Sequence, residues 1–152
     1  MHSLQIAFNL AGTLEPDGSH KLVQRVYYED TDFSGFVYHA RYLHFLERAR
    51  TDYLRCLGVE QSTLHIRDDG EGLMFVVHRM EIDFKGPARM DNIVTIITAT
   101  EKAGGAKMVL NQQIFRDQTL LISAKVVIAV VNASGRPRRL PEDLARSFLG
   151  EA

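Results

Sequence analysis

Residues 40–57 carry the one long helical period in this sequence, and it sits among runs that read as strands. Tyr42, Leu43, Phe45, Leu46, Ala49, Tyr53, Leu54 and Leu57 recur at the spacing of one helix face, and Gly58 stands where a left-handed C-cap belongs. The apolar stripe is wider than a coiled-coil seam, so this helix is expected to lie against a sheet. Its opposite face carries Arg41, Arg48, Asp52 and Arg55, expected to be solvated.

Downstream, residues 73–84, 92–101, 107–116 and 119–131 read as strands. Met80–Phe84 alternates and is expected to be half exposed, whereas Val126–Val131 is apolar on both faces and suits an interior strand. Turns at residues 102–106 and 116–118 join three of these runs into a meander. Upstream, the cluster Glu15–Ser19 is a turn that could join Leu4–Leu10 to Leu22–Tyr28 as a hairpin. Residues 61–72 read as a loop or short helix, and 141–149 as a closing helix with Pro141 at its first position. The predicted class is α+β, an antiparallel sheet of about five or six strands packed with one long helix. One domain spans residues 1–152, with 1–19 as an N-terminal extension or short hairpin. A single helix cannot cover such a sheet, so a second copy is expected to bury the remainder, with a homodimer as the minimum unit and a homotetramer beyond it.

Charge and composition narrow the function. Eighteen basic against nineteen acidic residues leave a net charge of -1, which argues against a nucleic-acid binder or an anionic membrane surface. The longest apolar run, Val126–Val131, falls far short of the roughly 20 residues that span a bilayer. The N-terminus lacks the charged-then-apolar order of a secretory signal, and the single cysteine, Cys56, fits a reducing compartment; the expected location is cytoplasmic. No phosphate-binding glycine loop, no Gly-X-Ser-X-Gly elbow and no His-Glu-X-X-His appears. His44 and Glu47 share a helix face, but no further ligand set accompanies them, so neither a metal nor a cofactor is expected.

The chemical information concentrates in residues 28–40, the loop that enters the helix. Phe36, Val37, Tyr38 and His39 offer no Ser, Thr, Asp or Asn to cap a helix starting near Tyr38 or His39, so its first amides are expected to be free. Free amides at the positive end of a helix suit an oxygen that gains negative charge, such as the carbonyl oxygen of an attacked ester or thioester. Asp32 could face that carbonyl from across the loop. Plainer readings exist for the same residues: Asp32 as a turn former, Ser34 as the cap of an earlier helix, His39 as a structural or solvent-exposed imidazole, and Glu47 as the partner of Arg50 or of a neighbouring subunit.

The run Tyr28-Glu29-Asp30-Thr31-Asp32, followed by Gly35, Val37-Tyr38-His39, Tyr42, Phe45 and Glu47-Arg48-Ala49-Arg50, resembles the signature of hotdog-fold acyl-CoA thioesterases. Within them it is most similar to the Tol-Pal-associated branch, related to 4-hydroxybenzoyl-CoA thioesterases. The likeness extends through Phe75-Val76-Val77, Pro87-Ala88-Arg89 and Arg138-Arg139-Leu140-Pro141, covering about residues 22–142. It implies a hotdog fold, a sheet wrapped around one central helix, with active sites at a dimer interface. It implies that Asp32 is the catalytic carboxylate and that the backbone amide at His39 polarises the thioester carbonyl. The Tyr38-His39 pair matches the family pattern, the His39 side chain being a further catalytic candidate. Gly35 and Val37 are implied to border the substrate, and Lys107 and Arg138, the latter in a cluster with Arg136 and Arg139, to contact the phosphates of CoA.

The expected activity is therefore hydrolysis of a short-chain or aromatic acyl-CoA, with Asp32 acting as nucleophile or general base. Two alternatives use the same frame: a hotdog hydratase or dehydratase, and a non-catalytic binder of acyl-carrier or envelope proteins.

Overall fold

The structure is a computed structural model that describes residues 12–59 and 72–150. Strand β1 (Thr13–Leu14) and β2 (His20–Arg25) precede the helix α1 (Arg41–Cys56); β3 (Met74–Phe84), β4 (Ile93–Gly104), β5 (Lys107–Arg116), β6 (Thr119–Val131) and the short α2 (Glu142–Phe148) follow it. The six strands form one sheet in the order β1-β2-β4-β5-β6-β3, and every neighbouring pair is antiparallel.

The meander β4-β5-β6 falls where the turn residues place it, with Gly105 at φ +61° between β4 and β5. β6 is interior, as expected of a strand apolar on both faces, with β5 on one side and β3 on the other. Several boundaries differ from the sequence reading: β4 runs on to Gly104 through residues read as turn, and the closing helix starts at Glu142 with Pro141 at its N-cap. β2 stops at Arg25, because the Val26 amide turns to the Asn92 carbonyl and Tyr28–Asp30 winds into a 3-10 turn. The turn at 15–19 joins β2 to the two-residue β1; Leu4–Leu10 and residues 61–71 lie outside the described residues.

On α1, Tyr42, Phe45, Leu46, Ala49, Tyr53 and Leu54 are buried, and they meet the sheet in two apolar clusters. Val94, Ile96, Ile114 and Ile122 pack around the first half of the helix, and Met108, Leu110, Val126 and Val130 around the second. Fully burying side chains of this size contributes about 1.5–3 kcal/mol each. Leu43, assigned to the stripe by spacing, is 40% exposed; it sits one position off the i, i+3, i+4 row that the sheet covers.

β3 is an edge strand, and Met74, Val76, Val77 and Phe84 on it are all substantially exposed. An eleven-residue edge strand with exposed Val76 and Val77 is a ready template for pairing with another strand.

Candidate active site

The loop between β2 and α1 is held from both sides. Asp30 is buried, accepts the Tyr27 amide at 2.8 Å, and pairs with the Arg41 guanidinium at 3.4 Å. The Arg41 guanidinium also donates to the Glu29 carbonyl, tying the loop to the first turn of the helix. On the other side the Val37 amide donates to the Ala88 carbonyl, and the Ala88 amide donates to the Tyr42 hydroxyl at 3.0 Å. Arg89 pairs in a bridge with Phe36 and lays its guanidinium 4.6 Å from the centre of that ring.

Within this frame, residues 32–35 form a tight turn in which the Gly35 amide donates to the Asp32 carbonyl and Gly35 takes φ +85°. Oδ1 of Asp32 accepts the Ser34 amide at 2.8 Å and the Ser34 hydroxyl at 2.5 Å. Oδ2 has no protein partner among the described residues, and the side chain is exposed. The Ser34 hydroxyl, then the Ser34 amide, and more weakly the charge of His39 hold the carboxyl below its ordinary value. Asp32 is thus both a turn former and a carboxylate with one oxygen free. It borders an open cleft lined by Tyr28, Thr31, Phe33, Gly35, Arg89 and Met90.

Helix α1 starts at Arg41, one residue inside the periodic run 40–57 and two to three beyond the start near Tyr38 or His39 that the capping reading took, with Ala40 at the N-cap and no side-chain cap. The Arg41 amide reaches the Tyr38 carbonyl and the Leu43 amide the Ala40 carbonyl, whereas the amides of His39 and Ala40 have no acceptor among the described residues. The Tyr38 ring lies tilted against His39 with centres 4.6 Å apart, and His39 meets Phe84 edge-on at 6.2 Å. Both Tyr38 and His39 are exposed. Val37 is buried in the core, so its side chain faces away from solvent and only its backbone borders the loop.

Lys107 and Arg138 come together, but elsewhere. The Arg138 amide donates to the Val130 carbonyl and the Leu140 amide to the Gly105 carbonyl, which folds residues 136–140 back along the β4-β5 hairpin beside Lys107. That hairpin is the far end of the sheet from the Asp32 loop, which neighbours the start of β4 through Arg89. At about 3.3 Å per residue, the two ends are separated by roughly 30 Å within one chain.

A more enclosed cavity of about 160 Å³ lies between the second half of α1 and β3, lined by Arg50, Leu54, Phe75, Met108, Ile128 and Phe148 among others. Neither Asp32 nor His39 lines it; Asp32 lies in the open cleft instead. Glu47 lies at the mouth of this cavity and accepts from Thr51 at 3.0 Å.

One polar cluster is not legible in residue spacing. Asp52, assigned to a solvated face, pairs at 2.6 Å with His20, which is fully buried, and Cys56 lies beside them. The i, i+4 placement of Asp52 and Cys56 was visible; the arrival of His20 from β2 was not.

Residues 34–123 match the model of the thioesterase superfamily. The chain belongs to the thioesterase superfamily. The matched span begins two residues after Asp32 and includes the whole of α1. Among relatives within the superfamily, the acyl-CoA thioesterase YbgC of Haemophilus influenzae is 39% identical over 133 residues, spanning 87% of this chain and 96% of the relative. The acyl-CoA thioester hydrolase YbgC of Escherichia coli O6:H1 is 40% identical over 126 residues, 82% of this chain and 91% of that one. A crystal structure of a probable thioesterase from Bartonella henselae superposes with a TM-score of 0.77 at 48% identity, covering 81% of this chain and 99% of that one. The six-stranded antiparallel sheet is therefore that of a hotdog thioesterase.

Proposed function

We propose that this superfamily member is an acyl-CoA thioesterase, converting an acyl thioester and water to a carboxylic acid and the free thiol of CoA, with Asp32 as its reacting carboxylate. The observation that carries this is the state of Asp32: ionised, exposed, anchored through Oδ1 and unpartnered at Oδ2. The names of relatives near 40% identity point the same way.

A thioester carbonyl has weak resonance stabilisation, so Oδ2 can attack it directly or take a proton from an attacking water. The first route gives a mixed anhydride that water then opens; the second gives acid and thiol in one passage through a tetrahedral intermediate. In both, negative charge builds on the carbonyl oxygen. The unpaired amides of His39 and Ala40 are the donors suited to receive it, and one such donor contributes about 2.7–4 kcal/mol. We assign the departing thiolate to the exposed His39 imidazole, whose ring lies tilted against Tyr38. The aromatic rim of Tyr28 and Phe33 suits a short or aromatic acyl group.

One chain does not supply a complete CoA site, because Lys107 and Arg138 stand at the far end of the sheet. Antiparallel pairing of β3 with β3 of a second copy would cover Val76 and Val77 and extend the sheet. The two-fold axis would bring Arg138 of the partner subunit towards the Asp32 end of this one. We therefore read the active unit as a homodimer with shared sites, the joined sheets wrapping both copies of α1. Release of free thiol from a panel of acyl-CoA esters tests the activity; tight binding without release would favour a non-catalytic binder.

A further inference from the structure

We propose that His20, Asp52 and Cys56 form a binding site for one borderline-soft divalent cation, zinc being the type case. The donor atoms Nε2 of His20, an oxygen of Asp52 and Sγ of Cys56 all lie within 4.8 Å of one another. Imidazole, carboxylate and thiolate together are a set that zinc accepts at about 2.0–2.3 Å each, which puts tetrahedral donors roughly 3.3–3.8 Å apart. The Asp52 Oδ2 to Cys56 Sγ separation is 3.8 Å and already fits. The 2.6 Å contact between His20 and Asp52 is a hydrogen bond that has to open by roughly an ångström to admit the ion.

The three side chains converge on one point: Oδ2 of Asp52 lies 2.6 Å from the His20 ring, 2.7 Å from the Gly12 amide and 3.8 Å from Cys56 Sγ, which also lies 3.6 Å from the Gly12 carbonyl. Gly12 closes the cluster: a Cβ there would stand 2.4 Å from the Lys21 carbonyl oxygen, 2.8 Å from His20 Nε2 and 2.9 Å from Asp52 Oδ2, so only glycine lets this backbone approach the three side chains. On binding, Cys56 gives its proton to solvent, and a neutral His20 moves its one proton to Nδ1. That nitrogen is buried without a partner among the described residues in either state, so the exchange creates no new orphan.

The groove lined by Leu22, Gln24, Thr51 and Asp52 provides an entry path; Arg48 and Arg55 flank it and discourage loosely held cations. Asp52 lies eleven residues beyond the start of α1, about 16 Å along its axis, so the ion would clamp β2 and the Gly12 segment to the helix without touching the Asp32 loop.

Cobalt(II) reports this site directly, because Cys56 is the single cysteine and any thiolate-to-cobalt charge-transfer band must come from it. After chelator treatment, the full chain is expected to develop that band to saturation at one cobalt per chain, and zinc is expected to abolish it. Cys56→Ser, which retains the His20–Asp52 pair, should show no band and no metal-dependent rise in Tm. As a second readout on the unmodified chain, stoichiometric zinc should slow alkylation of Cys56 at least about tenfold. No band at stoichiometric cobalt, unchanged alkylation with zinc, or the same rise in Tm in Cys56→Ser would each overturn the proposal. None of these outcomes bears on thiol release by Asp32.

Discussion

Ser34 donates both its amide and its hydroxyl to the same oxygen of Asp32. Both bonds favour the ionised carboxylate and lower its pKa from the ordinary 3.8, the hydroxyl having the larger effect. A lowered acid stays charged to lower pH, so kcat/KM is expected to hold steady through neutrality and to fall only in strong acid. Ser34→Ala removes the hydroxyl and keeps the amide. Its acid limb should move to higher pH while the rate near pH 7 changes little, as read from paired pH profiles.

Gly35 has φ +85°, and a Cβ there would meet nothing within 4 Å. The cost of Gly35→Ala is therefore conformational, about 1–2 kcal/mol, with no clash to relieve. A lowered Tm together with a larger loss of turnover is the expected result, because relaxing this turn moves the Asp32 carboxylate off its anchor.

The helix and the four long strands were legible because each carries a periodic pattern that the sheet satisfies locally. The uncapped start of α1 was legible too, since none of residues 36–40 is a capping type. Its onset at Arg41 was not, because the Tyr38 carbonyl captures the Arg41 amide in a turn ahead of the helix. The anchoring of the Asp32 loop by Tyr42 and Ala88 joins residues 46 positions apart, and that of His20 to Asp52 joins residues 32 apart. Periodicity carries no record of such meetings. The backbone at Arg138 folds back along the hairpin that leads into Lys107, and only the strand directions reveal that this hairpin stands at the far end from Asp32.

Val77 lies on the free edge of β3 and is 46% exposed. Val77→Glu would place a charge in the proposed pairing of two β3 strands while costing the isolated fold little. Light scattering should show the unmodified chain as a dimer or larger and Val77→Glu shifted towards monomer, with turnover falling in step. A monomeric unmodified chain with full activity would remove the shared site.

Arg138→Glu should raise KM for acyl-CoA about tenfold or more with kcat nearly unchanged, since it alters binding remote from the reacting carbonyl. If the basic residues serve the neighbouring subunit, co-expressing Asp32→Asn with Arg138→Glu chains should restore one intact site per mixed dimer. Steady-state kinetics on the purified mixed dimer checks this; activity no higher than either parent would place Arg138 outside the site.

Thiol release by Asp32→Asn, measured beside the unmodified chain with the same acyl-CoA, tests the central claim most directly. The substitution preserves the shape of the side chain and removes its charge and basicity. Turnover is expected to fall by about 10²–10⁴-fold with acyl-CoA binding retained. Turnover within a few-fold of the unmodified chain would contradict the assignment of Asp32.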